Sequence, residues 1–226
     1  ALGFRLLVKP ECLQHTGSFK LRGATNAVMS LDESVTDVVA FSSGNHAQAV
    51  ARAASLRGMK ATIVMPEDAP KMKIEGTAAY GGHVVTYDRY TESREEIGAS
   101  IAAETGATLI APFEDPRVIA GQGTVGLEIA EQCAEIGITP DHVIVCCGGG
   151  GLIAGTSLAI TEMMPDTDVW AAEPEDFDDT IRSLASGNRE TVPPGNRSIC
   201  DAVVTPQPGA MTFAINRHTL AGGFAV

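Results

Sequence analysis

The sequence predicts an α/β fold built on mostly parallel sheet. Short β-rich runs alternate with alanine-rich segments of helical period, the pattern of strands joined by covering helices. The runs Val38-Val39-Ala40-Phe41 and Val143-Ile144-Val145 are apolar without alternation, as in strands buried on both faces. Glycine is abundant, 24 of 226 residues, and much of it falls in clusters that suit tight turns and close backbone approach.

Strands are expected at Phe4–Lys9, Asp37–Phe41, Ala61–Met65, His83–Thr86, Thr108–Ile110, His142–Cys147 and Asp168–Ala172. Helical period fills the gaps at Lys20–Leu31, Ala47–Arg57, Lys71–Tyr80, Glu92–Glu104, Ile119–Ile136 and Leu152–Met163. Prolines and charges interrupt this alternation near Ser34–Asp37 and Pro112–Arg117. The segment between them, 37–116, reads as a small α/β domain. The flanking segments, 1–36 and 117–226, read as a larger discontinuous one. Ala1-Leu2-Gly3 leads straight into an expected strand, and Gly222-Gly223-Phe224-Ala225-Val226 stops as another begins, so both termini read as cut.

Composition narrows the function. Hydrophobic residues make up 44% and charged residues 19%, the balance of a soluble globular chain. The net charge of −12 leaves no basic face for nucleic acid or an anionic membrane. An anionic ligand needs donors arranged locally. The five cysteines, Cys12, Cys133, Cys146, Cys147 and Cys200, form neither metal spacing nor a disulfide framework, which favours a reducing, cytoplasmic setting. Cys146 and Cys147 are expected as buried thiols pointing opposite ways. No signal peptide and no membrane-length apolar run is visible.

Four constellations carry chemistry. Thr16-Gly17-Ser18-Phe19-Lys20 precedes a helical pattern. A lone lysine is ordinarily a solvated surface residue. One held at a helix start behind small polar residues can instead serve as a Schiff-base amine, which needs a fixed position and a lowered pKa. Ser42-Ser43-Gly44-Asn45-His46 joins a strand to a helix. Ser and Asn are usual helix caps, but free N–H groups at such a turn also bind a carboxylate. Gly148-Gly149-Gly150-Gly151-Leu152 follows a strand and opens a helix. Four consecutive glycines cost more conformational entropy than a simple turn requires, and their bare N–H groups make an anion nest suited to phosphate. No Gly-Lys-Ser/Thr follows, so this is no Walker loop. Glu173-Pro174-Glu175-Asp176-Phe177-Asp178-Asp179 is either a solvated acidic loop or a set of oxygen ligands for a hard divalent cation.

In order and separation these motifs resemble the fold-type II pyridoxal-phosphate (PLP) enzymes, in the branch of threonine/serine dehydratases and serine racemases. Ser18-Phe19-Lys20-Leu21-Arg22-Gly23-Ala24, Ser42 to His46 and Gly148 to Gly151 carry the likeness, which extends over nearly the whole chain. It implies two three-layer α/β/α domains with mostly parallel sheets, tryptophan synthase β-like. It also implies roles. Lys20 forms the Schiff base and moves the α-proton on one face, and Phe19 packs near the cofactor ring. Asn45 bonds the cofactor's phenolic oxygen. Ser42, Ser43, Asn45 and His46 take the substrate carboxylate, and Ser43 is the opposite-face acid/base in racemases. Gly148, Gly149, Gly150, Gly151 and Leu152 cradle the phosphate. Glu173, the Phe177 carbonyl and Asp179 fall where Mg2+ or another divalent cation is held.

The implied reaction is loss of water from L-threonine or L-serine to give a 2-oxo acid and ammonia, in a cytoplasmic homodimer. Amino acid racemisation and 3-hydroxyaspartate dehydration are alternatives within the family. A non-catalytic phosphate-ligand binding module is the alternative outside it. A second substrate carboxylate would want a cationic partner, for which His15 and Arg22 are candidates. Two departures stand out. Ala47 follows His46 where glycine is common, and the pyridine-nitrogen partner is expected in a C-terminal segment that this chain does not contain. The stretch from Ser198 to Gly209 is more dehydratase-like than racemase-like.

Overall fold

The structure is a computed structural model and describes residues 3–226. Ala1 and Leu2, where the cut N-terminus is expected, lie outside the described residues. The fold contains two parallel sheets. In chain order the elements are α1 (Lys20–Met29), β1 (Asp37–Phe41), α2 (Asn45–Arg57), β2 (Lys60–Pro66), α3 (Lys71–Ala79), β3 (Gly82–Tyr87), α4 (Arg94–Thr105) and β4 (Thr108–Leu109). There follow α5 (Pro116–Glu135), β5 (His142–Cys146), α6 (Gly151–Met163), β6 (Asp168–Glu173), α7 (Asp179–Ser186), α8 (Ala210–Thr219) and β7 (Gly222–Ala225). The first sheet runs β3-β2-β1-β4 and the second β5-β6-β7. Val39 of β1 lies in register with Thr62 of β2 and Leu109 of β4. No helix of the described residues is long and apolar enough to cross a membrane.

The four-stranded sheet is filled from both sides. Val38, Ala40 and Ile63 pack with the α2 alanines, while Val39 and Val64 pack with Tyr87 and Ala107. β1 is thus buried on both faces, as its unbroken apolar run predicts. In α2, Ala47, Ala49, Ala51, Ala53 and Ala54 are buried, so small side chains let this helix lie tightly between α1 and the sheet.

β5 differs from expectation. Val143 and Val145 enter a core with Ile153, Ile160 and Val169, but Ile144 is 60% exposed on the other face. Ile144 shares that face with Cys146, so the expectation of two buried thiols fails: Cys147 is buried and Cys146 is exposed. The strand expected at Phe4–Lys9 is also absent. Those residues form no ladder, and Phe4, Leu6 and Val8 face outward. A β-rich composition makes a strand only where a partner edge is available.

The helices around the second sheet meet almost backbone to backbone. A Cβ at Gly121 of α5 would fall 2.6 Å from Gly23 Cα of α1. A Cβ at Gly155 of α6 would collide with the Ile119 carbonyl oxygen of α5 and lie 2.5 Å from Gly123 N. Helix α5 therefore holds α1 on one side and α6 on the other. Its own start is set by Asp115, whose carboxylate accepts the Arg117 N–H at 2.8 Å, with Pro116 in the first turn. The break expected at Pro112–Arg117 ends inside this helix.

Candidate active site

Lys20 is the first residue of α1, where the Ser18–Phe19 turn delivers it. Its Nζ donates to the Pro112 carbonyl at 2.8 Å and lies 5.3 Å from the Phe19 ring centroid. Burial disfavours the ammonium and lowers its pKa from 10.5 to about 8. Just ahead of it, the hydroxyls of Thr16 and Ser18 are buried without hydrogen-bond partners among the described residues. Phe19 packs against the core that contains Leu152 of the glycine loop.

The Ser42–His46 turn ends β1 and opens α2. Ser42 Oγ accepts the Gly44 N–H at 3.2 Å, which shapes the turn. Among the described residues, the N–H groups of Ser43, Asn45, His46 and Ala47 have no backbone partner. The Ser43 side chain is exposed and that of Asn45 half-buried, and neither makes a hydrogen bond among the described residues. His46 behaves differently from a carboxylate ligand. Its imidazole is buried, with Nε2 2.9 Å from the Ile110 carbonyl and Nδ1 unpartnered. Burial, reinforced by the nearby Lys20 charge, lowers its pKa to about 3. A neutral ring with Nε2–H donating to the carbonyl follows. What His46 offers the turn is its main-chain N–H.

The glycine loop leaves β5 and enters α6, which already includes Gly151. Among the described residues, the N–H groups from Gly148 to Leu152 have no backbone partner, although Gly149 to Leu152 are buried. Gly150 has φ +88°, a conformation favouring glycine. Its neighbours are close-packed for another reason: Phe113 occupies the space a Cβ would need at Gly149 and at Gly151. Five consecutive unpaired donors at the start of a 13-residue helix are an arrangement that can bind an anion.

The structure links these motifs through a segment the sequence presents only as a boundary, Ile110 to Phe113. Ile110 binds His46, Pro112 binds Lys20, and Phe113 packs on Gly149 and Gly151. The adjoining Glu114 carboxylate accepts the N–H groups of Met211 and Thr212 at the start of α8. A lone aromatic between Pro112 and an acidic pair was the only available signal, and it has no motif-level meaning.

The acidic loop gathers two buried carboxylates. Glu173 accepts the Thr180 N–H at 3.1 Å and the Ile181 N–H at 2.9 Å, so it serves the start of α7. Asp179 has both oxygens buried without a donor among the described residues. Its pKa is raised to about 7, by burial and then by the Glu173 charge. Phe177 is buried between them in sequence. Arg22 is committed elsewhere: it forms paired contacts with Glu11 and Glu128 at 2.6–2.8 Å, so it is not a free cation for a substrate. His15 is exposed.

The family described as pyridoxal-phosphate dependent enzyme matches residues 1–226. The chain belongs to this family. It is 44% identical over 221 residues to the L-threo-3-hydroxyaspartate ammonia-lyase of Saccharomyces cerevisiae, covering 97% of this chain and 66% of that protein. It is 46% identical over 197 residues to the serine racemase of Oryza sativa subsp. indica, covering 86% and 57%. The crystal structure of a T.th. threonine deaminase superposes with TM-score 0.93 and 46% identity, covering 99% of this chain and 72% of that one. The family's fold-type II dehydratase and racemase branch is thus the chain's own, and three activities are represented at similar identity. The chain spans less than two thirds of the length of the two curated relatives.

Proposed function

We propose that this chain carries the lysine, carboxylate turn and phosphate nest of a PLP-dependent ammonia-lyase that removes water from a hydroxy amino acid such as L-threonine or L-serine. The observation that carries this reading is Lys20: a partly buried amine at the start of α1, hydrogen-bonded through Pro112 to the segment that also packs on the glycine loop, with its pKa lowered by burial. A lysine in a phosphate-binding module would gain nothing from such burial. The unpaired N–H groups from Gly148 to Leu152 suit the cofactor's phosphate, and Phe19 and Asn45 its ring.

When bound, the cofactor supplies an electron sink that allows the substrate Cα–H bond to break. The rest is positioning by the chain. The free N–H groups at the start of α2 hold the substrate carboxylate. Lys20, released from Pro112, takes the α-proton. Loss of the β-hydroxyl as water takes up one proton, balancing the one that Lys20 removes from Cα, and the resulting enamine becomes an imine that takes up water and gives the 2-oxo acid and ammonia. We read 37–116 as a small domain and 1–36 with 117–226 as the larger one. A divalent cation at Glu173, the Phe177 carbonyl and Asp179 would satisfy the two donorless Asp179 oxygens, with Glu173 also bonded to α7.

A second reading, racemisation, is favoured by Ser43, whose exposed hydroxyl has no hydrogen-bond partner among the described residues and lies at the carboxylate turn. Both are tested together. Oxo-acid formation is measured from L-threonine, L-serine and 3-hydroxyaspartate, with chiral analysis of residual serine. Borohydride reduction with bound cofactor, followed by peptide mapping, is expected to label Lys20, and Lys20→Ala to abolish labelling and turnover. Labelling elsewhere, with Lys20→Ala still active, would overturn the proposal. Accumulation of D-serine in excess of oxo acid would select racemisation.

A further inference from the structure

Behind the glycine loop lies a side chain that neither the sequence motifs nor the proposed mechanism uses. Helix α8 packs on α6 and presents Thr212 and Asn216, one turn apart, to the back of the loop. Thr212 Oγ1 donates to the Gly149 carbonyl at 2.6 Å, and the Gly209 N–H reaches the same oxygen at 3.3 Å. A Cβ at Gly150 would fall 2.8 Å from Thr212 Oγ1 and 2.9 Å from Asn216 Nδ2. Asn216 is fully buried, yet among the described residues neither its Nδ2 nor its Oδ1 has a hydrogen-bond partner. An unpaired buried amide is costly, and an apolar residue of the same size would avoid the cost.

Cost and location together suggest a use. When an anion takes the N–H groups on the front of the loop, the same peptide units become stronger acceptors at their carbonyls, because hydrogen bonds in a chain polarise one another. Each carbonyl has two lone pairs, so an oxygen with one donor can take another. The Gly150 carbonyl has one, the Ala154 N–H at 2.9 Å. We infer that Asn216 is a positioning residue for the phosphate nest: its Nδ2–H group pairs with the Gly150 peptide once phosphate occupies the loop, so that its burial stabilises the loaded loop at the expense of the empty one. The inference rests on the reading of Gly148 to Leu152 as a phosphate site.

The test uses two isosteric substitutions, Asn216→Leu and Asn216→Asp, in the full chain. Pyridoxal phosphate and pyridoxal, which lacks the phosphate, are titrated into cofactor-free protein, and the cofactor-free melting temperature is recorded. Asn216→Leu is expected to weaken pyridoxal phosphate binding about tenfold, the scale of one buried hydrogen bond, to leave pyridoxal binding unchanged, and to raise the cofactor-free melting temperature. Asn216→Asp, which keeps an acceptor but loses the donor, should weaken phosphate binding at least as much. Unchanged pyridoxal phosphate affinity in Asn216→Leu, or equal weakening for both ligands with a lower melting temperature, would overturn the inference and leave the phosphate site standing. Wild-type protein that binds the two ligands equally would overturn the phosphate site itself.

Discussion

Gly155→Ala should separate the anion cradle from the lysine. The added Cβ would meet the Ile119 carbonyl, Gly123 N at 2.5 Å and Gln122 C at 3.0 Å, all main-chain atoms of α5. Comfortable contact needs about 3.5 Å, so α6 must retreat by about 1 Å. Alanine favours a helix over glycine by about 1 kcal/mol, whereas overpacking against atoms that cannot swing aside costs about 1–3 kcal/mol. The upper part of that range applies here, giving a net loss of about 1–2 kcal/mol. For a chain of this length that lowers the melting temperature by about 2–8 °C. The functional effect should be larger, because a displacement of about 1 Å can cost on the order of 100-fold in rate. Gly76→Ala is the control: the three atoms nearest its Cβ all belong to the Gln48 side-chain amide, with Nε2 at 3.0 Å, and that amide can rotate away. Thermal melts and pyridoxal phosphate titrations of the two variants provide the comparison. If Gly155→Ala melts at or above the wild-type temperature and binds cofactor normally, the contact between α5 and α6 does not set the geometry of the site.

Two predictions concern protonation. With a pKa lowered from 10.5 to about 8, Lys20 should undergo reductive methylation faster than the other lysines in cofactor-free protein at pH 7, with a rate rising to a plateau above pH 8; a profile still climbing at pH 10 would contradict its burial. His46 has a folded-state pKa of about 3 against an ordinary 6.5, so its contribution to stability is complete above pH 6.5 and is lost as the pH falls toward 3. Urea unfolding at pH 4 to 7 should show a slope steeper in wild type than in His46→Gln by up to about 1.4 kcal/mol per pH unit, and equal slopes would show that the ring is not held neutral.

The fold was legible in the sequence wherever one signal sufficed. The helix and strand alternation located every strand of the four-stranded sheet, because buried parallel strands and alanine-rich covering helices have distinct periods. It failed at Phe4–Lys9, where apolar residues without a partner edge stay outside the sheets, and at Ile144, whose exposure depends on what covers the sheet. Helices α7 and α8 were missed because polar residues on them, such as Asp179, Thr180, Thr212 and Asn216, are buried for reasons that only the fold supplies. The site divides in the same way. Lys20, the Ser42–His46 turn and the glycine loop lie at element junctions that sequence marks clearly. The inward turn of His46, the commitment of Arg22 to Glu11 and Glu128, and the role of Ile110 to Phe113 depend on contacts across tens of residues.

The Ile110–Phe113 segment also sets the order in which the molecule can become competent. Lys20 finds Pro112 across 92 positions, and His46 finds Ile110 across 64. As the polypeptide leaves the ribosome, the lysine emerges 92 positions ahead of its Pro112 partner. That partner becomes available only after all four strands of the first sheet have been synthesised. Phe113 must then wait for the glycines beyond β5. Such distant pairings form slowly, because loop closure precedes the reward of the contact. The surroundings of Lys20 are therefore a late acquisition of this chain, completed only when contacts across tens of residues have formed.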